Sequence, residues 1–180
     1  VQPPRCYWPY TSEGDNFLLQ QALPALAAVA RAEGHEVKVI DCMPLHVGWR
    51  SLYHEVRDFK PHVIGCGENH ALYATEALRF FELCKQAAPE AITVAGGGHF
   101  TNLAHRYANH PNIDFICVGE GEVTFANILR AIESEEDNWD HIDGIAFGRD
   151  GKMIKTRPAT LVKDLDDLPR PAYDMMPMHL

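Results

Sequence analysis

Glycine gathers at three points in this chain: Gly65-Cys66-Gly67 running into Glu68-Asn69-His70, Gly96-Gly97-Gly98 running into His99-Phe100-Thr101, and Gly119-Glu120-Gly121-Glu122. Each group follows a short apolar run. A residue without a Cβ lets a flat or phosphate-bearing ligand lie directly against backbone N–H and C=O groups. A glycine after a strand also makes an ordinary tight turn, and for one group alone the two readings stand level; three coincident groups favour a ligand. The pattern is not a dinucleotide fingerprint, because neither Gly65-Cys66-Gly67 nor Gly119-Glu120-Gly121 has the third glycine of GxGxxG and both follow late strands. No Gly-Lys-Ser or Gly-Lys-Thr triplet marks a phosphate loop. Ten histidines come without HExxH, paired cysteines or a compact carboxylate cluster, so no metal site is expected. His99 stands apart, since it follows the triple glycine, either as a ligand-edge residue or as a turn histidine bonded to backbone.

The elements that must position these groups are legible from period and punctuation. Val1-Gln2-Pro3-Pro4 reads as the tail of a strand, and Cys6 to Asn16 as a polar loop dotted with aromatics. A first helix is predicted to open at Pro24, where proline is tolerated, and to stop at Gly34. His35 to Asp41 alternates as a strand. Leu52, Tyr53, Val56 and Phe59 form one helical stripe ended by Pro61. Val63 to Cys66 reads as a buried strand; Ala74, Ala77, Leu78, Phe81 and Cys84 as a helix; Ile92 to Ala95 as a strand; Asn102 to Ala108 as a shorter helix. Ile113 to Val118 then reads as a strand, and Phe125, Ile128, Leu129 and Ile132 as a last helical face. Five strand–helix alternations require a mostly parallel, doubly wound five-stranded α/β sheet with right-handed crossovers, of the 2-1-3-4-5 order. In such a sheet ligands bind beyond the carboxyl ends of the strands, where the glycine groups fall. After the acidic stretch Glu133 to Asp140, Asp150-Gly151 between two short apolar runs predicts a hairpin. The expected organisation is an α/β unit over 1–135, a β-hairpin extension over 136–163 and a proline-broken connector over 164–180.

Lysine plus arginine number 16 against 25 aspartate plus glutamate, a formal charge of −9 over 180 residues. No basic field exists to attract nucleic acid or an anionic membrane. Five widely spaced cysteines suit reduced thiols and a cytoplasmic setting better than a disulfide framework, and no stretch reaches the ~20 apolar residues of a membrane-spanning helix.

Five blocks in order carry a resemblance: Glu33 to Asp41 (EGHEVKVID), Lys60 to Gly65 (KPHVIG), Val94 to Thr101 (VAGGGHFT), Ile113 to Glu122 (IDFICVGEGE) and the tail Leu165 to Asp174 (LDDLPRPAYD). Together they resemble the N-terminal cobalamin (B12)-binding domain of cobalamin-dependent radical S-adenosylmethionine enzymes, in particular the anaerobic magnesium-protoporphyrin monomethyl ester cyclase-like group. The resemblance implies a flavodoxin-like, Rossmann-like fold with cobalamin over the carboxyl edge of the sheet, its dimethylbenzimidazole tail released from cobalt and inserted beside the strands. It carries cofactor contact to Gly65, Cys66, Gly67, Glu68, Asn69, Gly96, Gly97, His99, Thr101, Gly119, Glu120 and Gly121. Corrinoid proteins of the methionine-synthase type place a histidine on cobalt from Asp-x-His-x-x-Gly after the first strand. Cys6 to Asp15 contains no histidine, so Tyr7, Trp8 or Tyr10 is expected to cover that face instead.

The tail further implies a C-terminal radical S-adenosylmethionine domain in the same chain, bearing a 4Fe-4S cluster on CxxxCxxC and S-adenosylmethionine. The cysteines here cannot form that motif, so these 180 residues hold no catalytic residues of their own and serve a methyltransferase or cyclase by positioning its cobalamin. Two alternatives stay open at this point: a stand-alone corrinoid carrier or sensor, and a flavin- or nucleotide-binding module. The last would want an early serine- and threonine-rich phosphate loop, where only Thr11 and Ser12 stand.

Overall fold

The computed structural model describes residues 1–5, 20–135 and 137–178. Five named strands form one sheet in sequential order: β1 (Val63–Gly67), β2 (Ile92–Gly96), β3 (Phe115–Cys117), β4 (Ile145–Arg149) and β5 (Lys152–Lys155). β1, β2 and β3 are parallel, and β4 and β5 continue the sheet antiparallel. The hairpin turn at Asp150-Gly151 has both residues at positive φ, +52° and +73°, the conformation that Asp-Gly is suited to adopt between twisted strands.

Two further extended segments complete the parallel part. Gln2 N–H donates to Ile40 O and Cys42 N–H to Gln2 O, at 2.9 and 3.0 Å, while the Val1 amino group donates to Gly65 O at 2.7 Å. Segment 1–4 therefore lies between segment 35–41 and β1, which is the expected 2-1-3-4-5 order. The expected strand at 35–41 reduces to a single bridge, Gln2 to Asp41. The reason is chemical, since Pro3 and Pro4 have no N–H to continue a ladder.

Among the described residues six α-helices flank the sheet: α1 (Ala22–Ala32), α2 (Trp49–Phe59), α3 (Ala74–Ala87), α4 (Gly97–Asn102), α5 (Ala104–Tyr107) and α6 (Glu122–Glu133). Strand alternation sorts the core into two layers. Ile64, Cys66, Ala95 and Ile116 pack with Leu52, Val56, Phe80 and Phe81 on one face; Val94, Phe115 and Cys117 pack with Ile128 and Ala131 on the other. α1 lies beside α6 on that second face, tied at their carboxyl ends by Arg130 to Glu33 at 2.6 and 2.7 Å.

Two helix starts differ from the sequence reading. α1 begins at Ala22, so Pro24 occupies its third position, where the missing N–H would have had no helical acceptor anyway. Of the triple glycine, expected as a loop before a helix at Asn102, Gly96 ends β2 while Gly97 and Gly98 are helical, with a break at Leu103 before α5. Glycine is a poor helix former, but here acceptors from another loop capture the first-turn amides, and tertiary bonding overrides propensity. The connector is not free along its whole length: Ala172 N–H donates to Pro24 O at 2.9 Å, Ala172 packs on Ala27 and Ala28, and Asp174 binds Arg31 through two bonds of 2.7 and 3.1 Å.

Candidate functional site

The carboxyl ends of β1, β2 and β3 bring the three glycine groups to one edge. Gly67 is the register partner of Gly96, and Gly65 that of Val94, so Gly65, Gly67 and Gly96 share the face that α1 and α6 cover. Together they leave a bare strip. Among the described residues, a Cβ built on Gly65 would meet nothing within 4 Å, on Gly67 only the Gly96 backbone at 3.8 Å, and on Gly96 only Cys117 Cβ at 3.9 Å. Side chains here would fill space that no described residue occupies.

The rim around this strip is rigidly bonded. Glu68 N–H donates to Gly96 O (2.9 Å) and Glu68 O accepts from His99 N–H (3.0 Å). Asn69 Oδ1 accepts from Gly98 N–H at 2.8 Å, so the loop after β1 caps the first turn of α4. Gly97 is where the two segments cross: its φ is +84°, and a Cβ there would stand 2.6 Å from Glu68 O and 2.9 Å from Asn69 Oδ1. On the other side, Thr101 Oγ1 donates to Cys117 O (3.3 Å) and accepts from Gly119 N–H (3.2 Å), fixing the exit of β3. Gly119 also has a positive φ, +96°. Gly121 precedes α6 and faces Leu26 of α1, whose Cδ2 would lie 3.4 Å from an added Cβ.

Of the expected residues, Gly65, Gly67, Glu68, Asn69, Gly96, Gly97, Thr101, Gly119, Glu120 and Gly121 converge on this edge, and Glu120 is exposed. Cys66 and His99 share the segments, but their side chains do not open to solvent. The Cys66 thiol lies in the core and burial pushes its pKa up to about 12, so it is a neutral thiol and no anionic ligand. His99 is buried, with Nε2 2.9 Å from the Tyr107 hydroxyl and its ring edge-on to Phe100. Tyr7, Trp8 and Tyr10 lie outside the described residues. Sequence reasoning missed Arg5, whose guanidinium meets Glu68 at 2.7 Å, and Leu26; a lone arginine after two prolines gave no signal of a buried partner.

Among the described residues this floor of bare backbone, flanked by bonded turns, leaves room for a ligand to lie against it. The match with known proteins agrees, since the B12 binding domain family covers residues 14–129, more than half of the chain. The chain belongs to this family. As a B12-binding domain it is 30% identical to an uncharacterized methyltransferase of Pyrococcus horikoshii over 160 residues, 87% of this chain and 34% of that protein. It is 30% identical to the anaerobic magnesium-protoporphyrin IX monomethyl ester cyclase of Rubrivivax gelatinosus over 147 residues, 78% of this chain and 26% of the cyclase. The fold is shared with the cobalamin-dependent S-adenosylmethionine radical enzyme OxsB, solved with aqua-cobalamin and S-adenosylmethionine bound, at a TM-score of 0.73 and 21% identity over 92% of this chain and 24% of OxsB. This B12-binding domain thus spans about a third or less of the relatives it matches.

Proposed function

We propose that this domain holds cobalamin over the carboxyl edge of the sheet, with the nucleotide tail along the bare strip of Gly65, Gly67 and Gly96, on behalf of a radical S-adenosylmethionine methyltransferase or cyclase. The observation that carries the reading is the strip: three glycines on adjacent strands whose absent side chains leave room on one face that no described residue fills. The amides of Gly98, His99 and Gly119 already have protein acceptors. Their role is to fix the rim, and the strip supplies shape.

When bound, cobalamin supplies a cobalt centre for methyl transfer or for tuning a radical step. The domain's own residues orient it and exclude water from the sheet edge, and among the described residues the Cys66, Cys42 and Cys117 thiols offer no anion, because burial raises them to about 12. The Cys6 to Asp15 loop has no histidine, so it would offer no imidazole to a bound corrinoid, and Tyr7, Trp8 or Tyr10 would cover that face. The radical S-adenosylmethionine domain of the relatives, with its 4Fe-4S cluster, is the partner in the same chain, in the cytoplasm. Among the described residues no helix is long and apolar enough to cross a membrane.

The test is to add hydroxocobalamin to the purified chain, remove free corrinoid by gel filtration, and record optical and electron paramagnetic resonance spectra after reduction. Retention of corrinoid without nitrogen superhyperfine splitting is expected. Elution of the chain free of corrinoid would refute cobalamin binding, and nitrogen splitting would refute the assignment of the first loop.

A further inference from the structure

The first strand ends at Arg5 in an arrangement that cofactor contact does not require. Glu68 is 2% exposed, and each of its polar atoms has a protein partner. Oε2 accepts from Arg5 Nη2 at 2.7 Å, Oε1 accepts from the N–H groups of Asn69 and His70 at 2.8 and 2.9 Å, and the backbone binds Gly96 and His99. Arg5 is held from two more sides. Its guanidinium carbon stands 3.8 Å above the centre of the Tyr73 ring, and the Gln2 amide, turned with its oxygen toward Arg5, accepts from Nη2 and Nε at 2.7 and 2.8 Å. The Glu68 carboxylate thus joins the end of the first strand to the turn after β1, and the backbone of the same residue joins that turn to the end of β2 and the start of α4.

A buried ion pair contributes little net stability, because desolvation offsets most of the Coulomb attraction, and well-packed neutral residues often do as well. What a planar guanidinium on a carboxylate adds is direction. We propose that Arg5 and Glu68 are positioning residues of the cofactor site: the pair fixes the end of the first strand relative to the turn after β1 and the glycine strip. Glu68 acts through the turn it ties, not by touching the corrinoid. This inference rests on the cobalamin reading above and adds to it which charged residues must be intact for the site to be preformed.

The experiment measures hydroxocobalamin affinity, the reduced-cobalt paramagnetic spectrum and the apo thermal midpoint for the 180-residue chain and for Arg5→Gln, Glu68→Gln and the double variant. Glu68→Gln keeps an acceptor for the Asn69 and His70 amides but leaves Arg5 unpaired, so each single variant is expected to lower the midpoint. The double variant leaves no buried charge unpaired and is expected to recover most of the midpoint while still raising Kd about ten- to a hundredfold, as loss of groups that orient a metal site commonly does, with an altered cobalt spectrum. Lys85→Gln is the comparison, since Lys85 pairs with Asp114 at the opposite end of the strands, 2.7 Å apart. It is expected to lower the midpoint and leave Kd unchanged. The proposal is overturned if the double variant binds within about twofold of the parent, the scatter of independent substitutions, or if Lys85→Gln raises Kd equally. A parent chain that binds no corrinoid would instead remove the cobalamin reading, and this inference with it.

Discussion

Replacing Gly97 by alanine is expected to destabilise the apo domain through the protein's own contacts. Two costs act at that position. An L-residue at a φ of +84° is strained by about 1–2 kcal/mol. The new Cβ would also stand 2.6 Å from Glu68 O and 2.9 Å from Asn69 Oδ1, and relieving this must loosen the caps on Gly98 and His99, a further ~1–2 kcal/mol. Together these give roughly 2–4 kcal/mol, or a fall of about 4–16 °C in thermal midpoint for a domain of this size. Gly34 separates the two costs: its φ is +93°, but nothing among the described residues lies within 4 Å of its Cβ position. Gly34→Ala should therefore show the dihedral cost alone. Gly98→Ala, with its nearest neighbour at 3.6 Å, should cost little. Urea and thermal unfolding followed by circular dichroism on the apo chain measure all three. A Gly97→Ala loss no greater than that of Gly34→Ala would refute the interlock between the two loops.

Two further outcomes follow from buried titratable groups. Cys42, Cys66 and Cys117 are buried with thiols raised to about 12, and Cys84 is raised further, so at pH 8 only about one part in ten thousand of the first three is thiolate. Labelling by a thiol disulfide reagent should reach at most one of the five cysteines until denaturant is added; rapid labelling of two or more in the native chain would contradict this. Burial raises the Asp41 carboxyl, against opposing contributions from the Met43 N–H, the Val1 amino group and Arg5. A carboxyl raised on folding favours the native state while protonated, and that advantage is lost as pH rises through its native pKa. Asp41→Asn should therefore unfold at a higher temperature than the parent at pH 7, the gap closing toward acid; a gap that widens toward acid would reverse the assignment.

The fold was legible because its parts announce themselves locally. Stripes such as Leu52-Val56 and Phe81-Cys84, stops such as Gly34 and Pro61, and the Asp150-Gly151 turn each act within a few residues. What escaped acts across the chain. The helical start at Gly97 depends on acceptors at Glu68 and Asn69, and the reduction of segment 35–41 to one bridge depends on prolines at the opposite end of the pairing. The glycine groups were found, but their roles were not separable by sequence. Gly97 was expected to border the ligand, and its missing side chain also makes room for the loop of Glu68. Gly65 gave no stronger signal, yet no described residue lies within 4 Å of its Cβ position. Dihedral angle and Cβ surroundings distinguish the two, and neither is written in a run of glycines. The inward turn of His99 and the partner of Arg5 were hidden for the same reason.

Gly65 therefore carries the most direct measurement. Gly65→Val keeps a strand-compatible residue at a position with ordinary backbone and no described neighbour within 4 Å of its Cβ, so the apo thermal midpoint should stay at or above that of the parent. If cobalamin's tail lies along the strip, the added methyl groups overfill it at about 1–3 kcal/mol, a roughly five- to 150-fold rise in the Kd for hydroxocobalamin. Unchanged affinity in a variant of unchanged midpoint would show that the tail does not pass over Gly65 and would contradict the site proposed here.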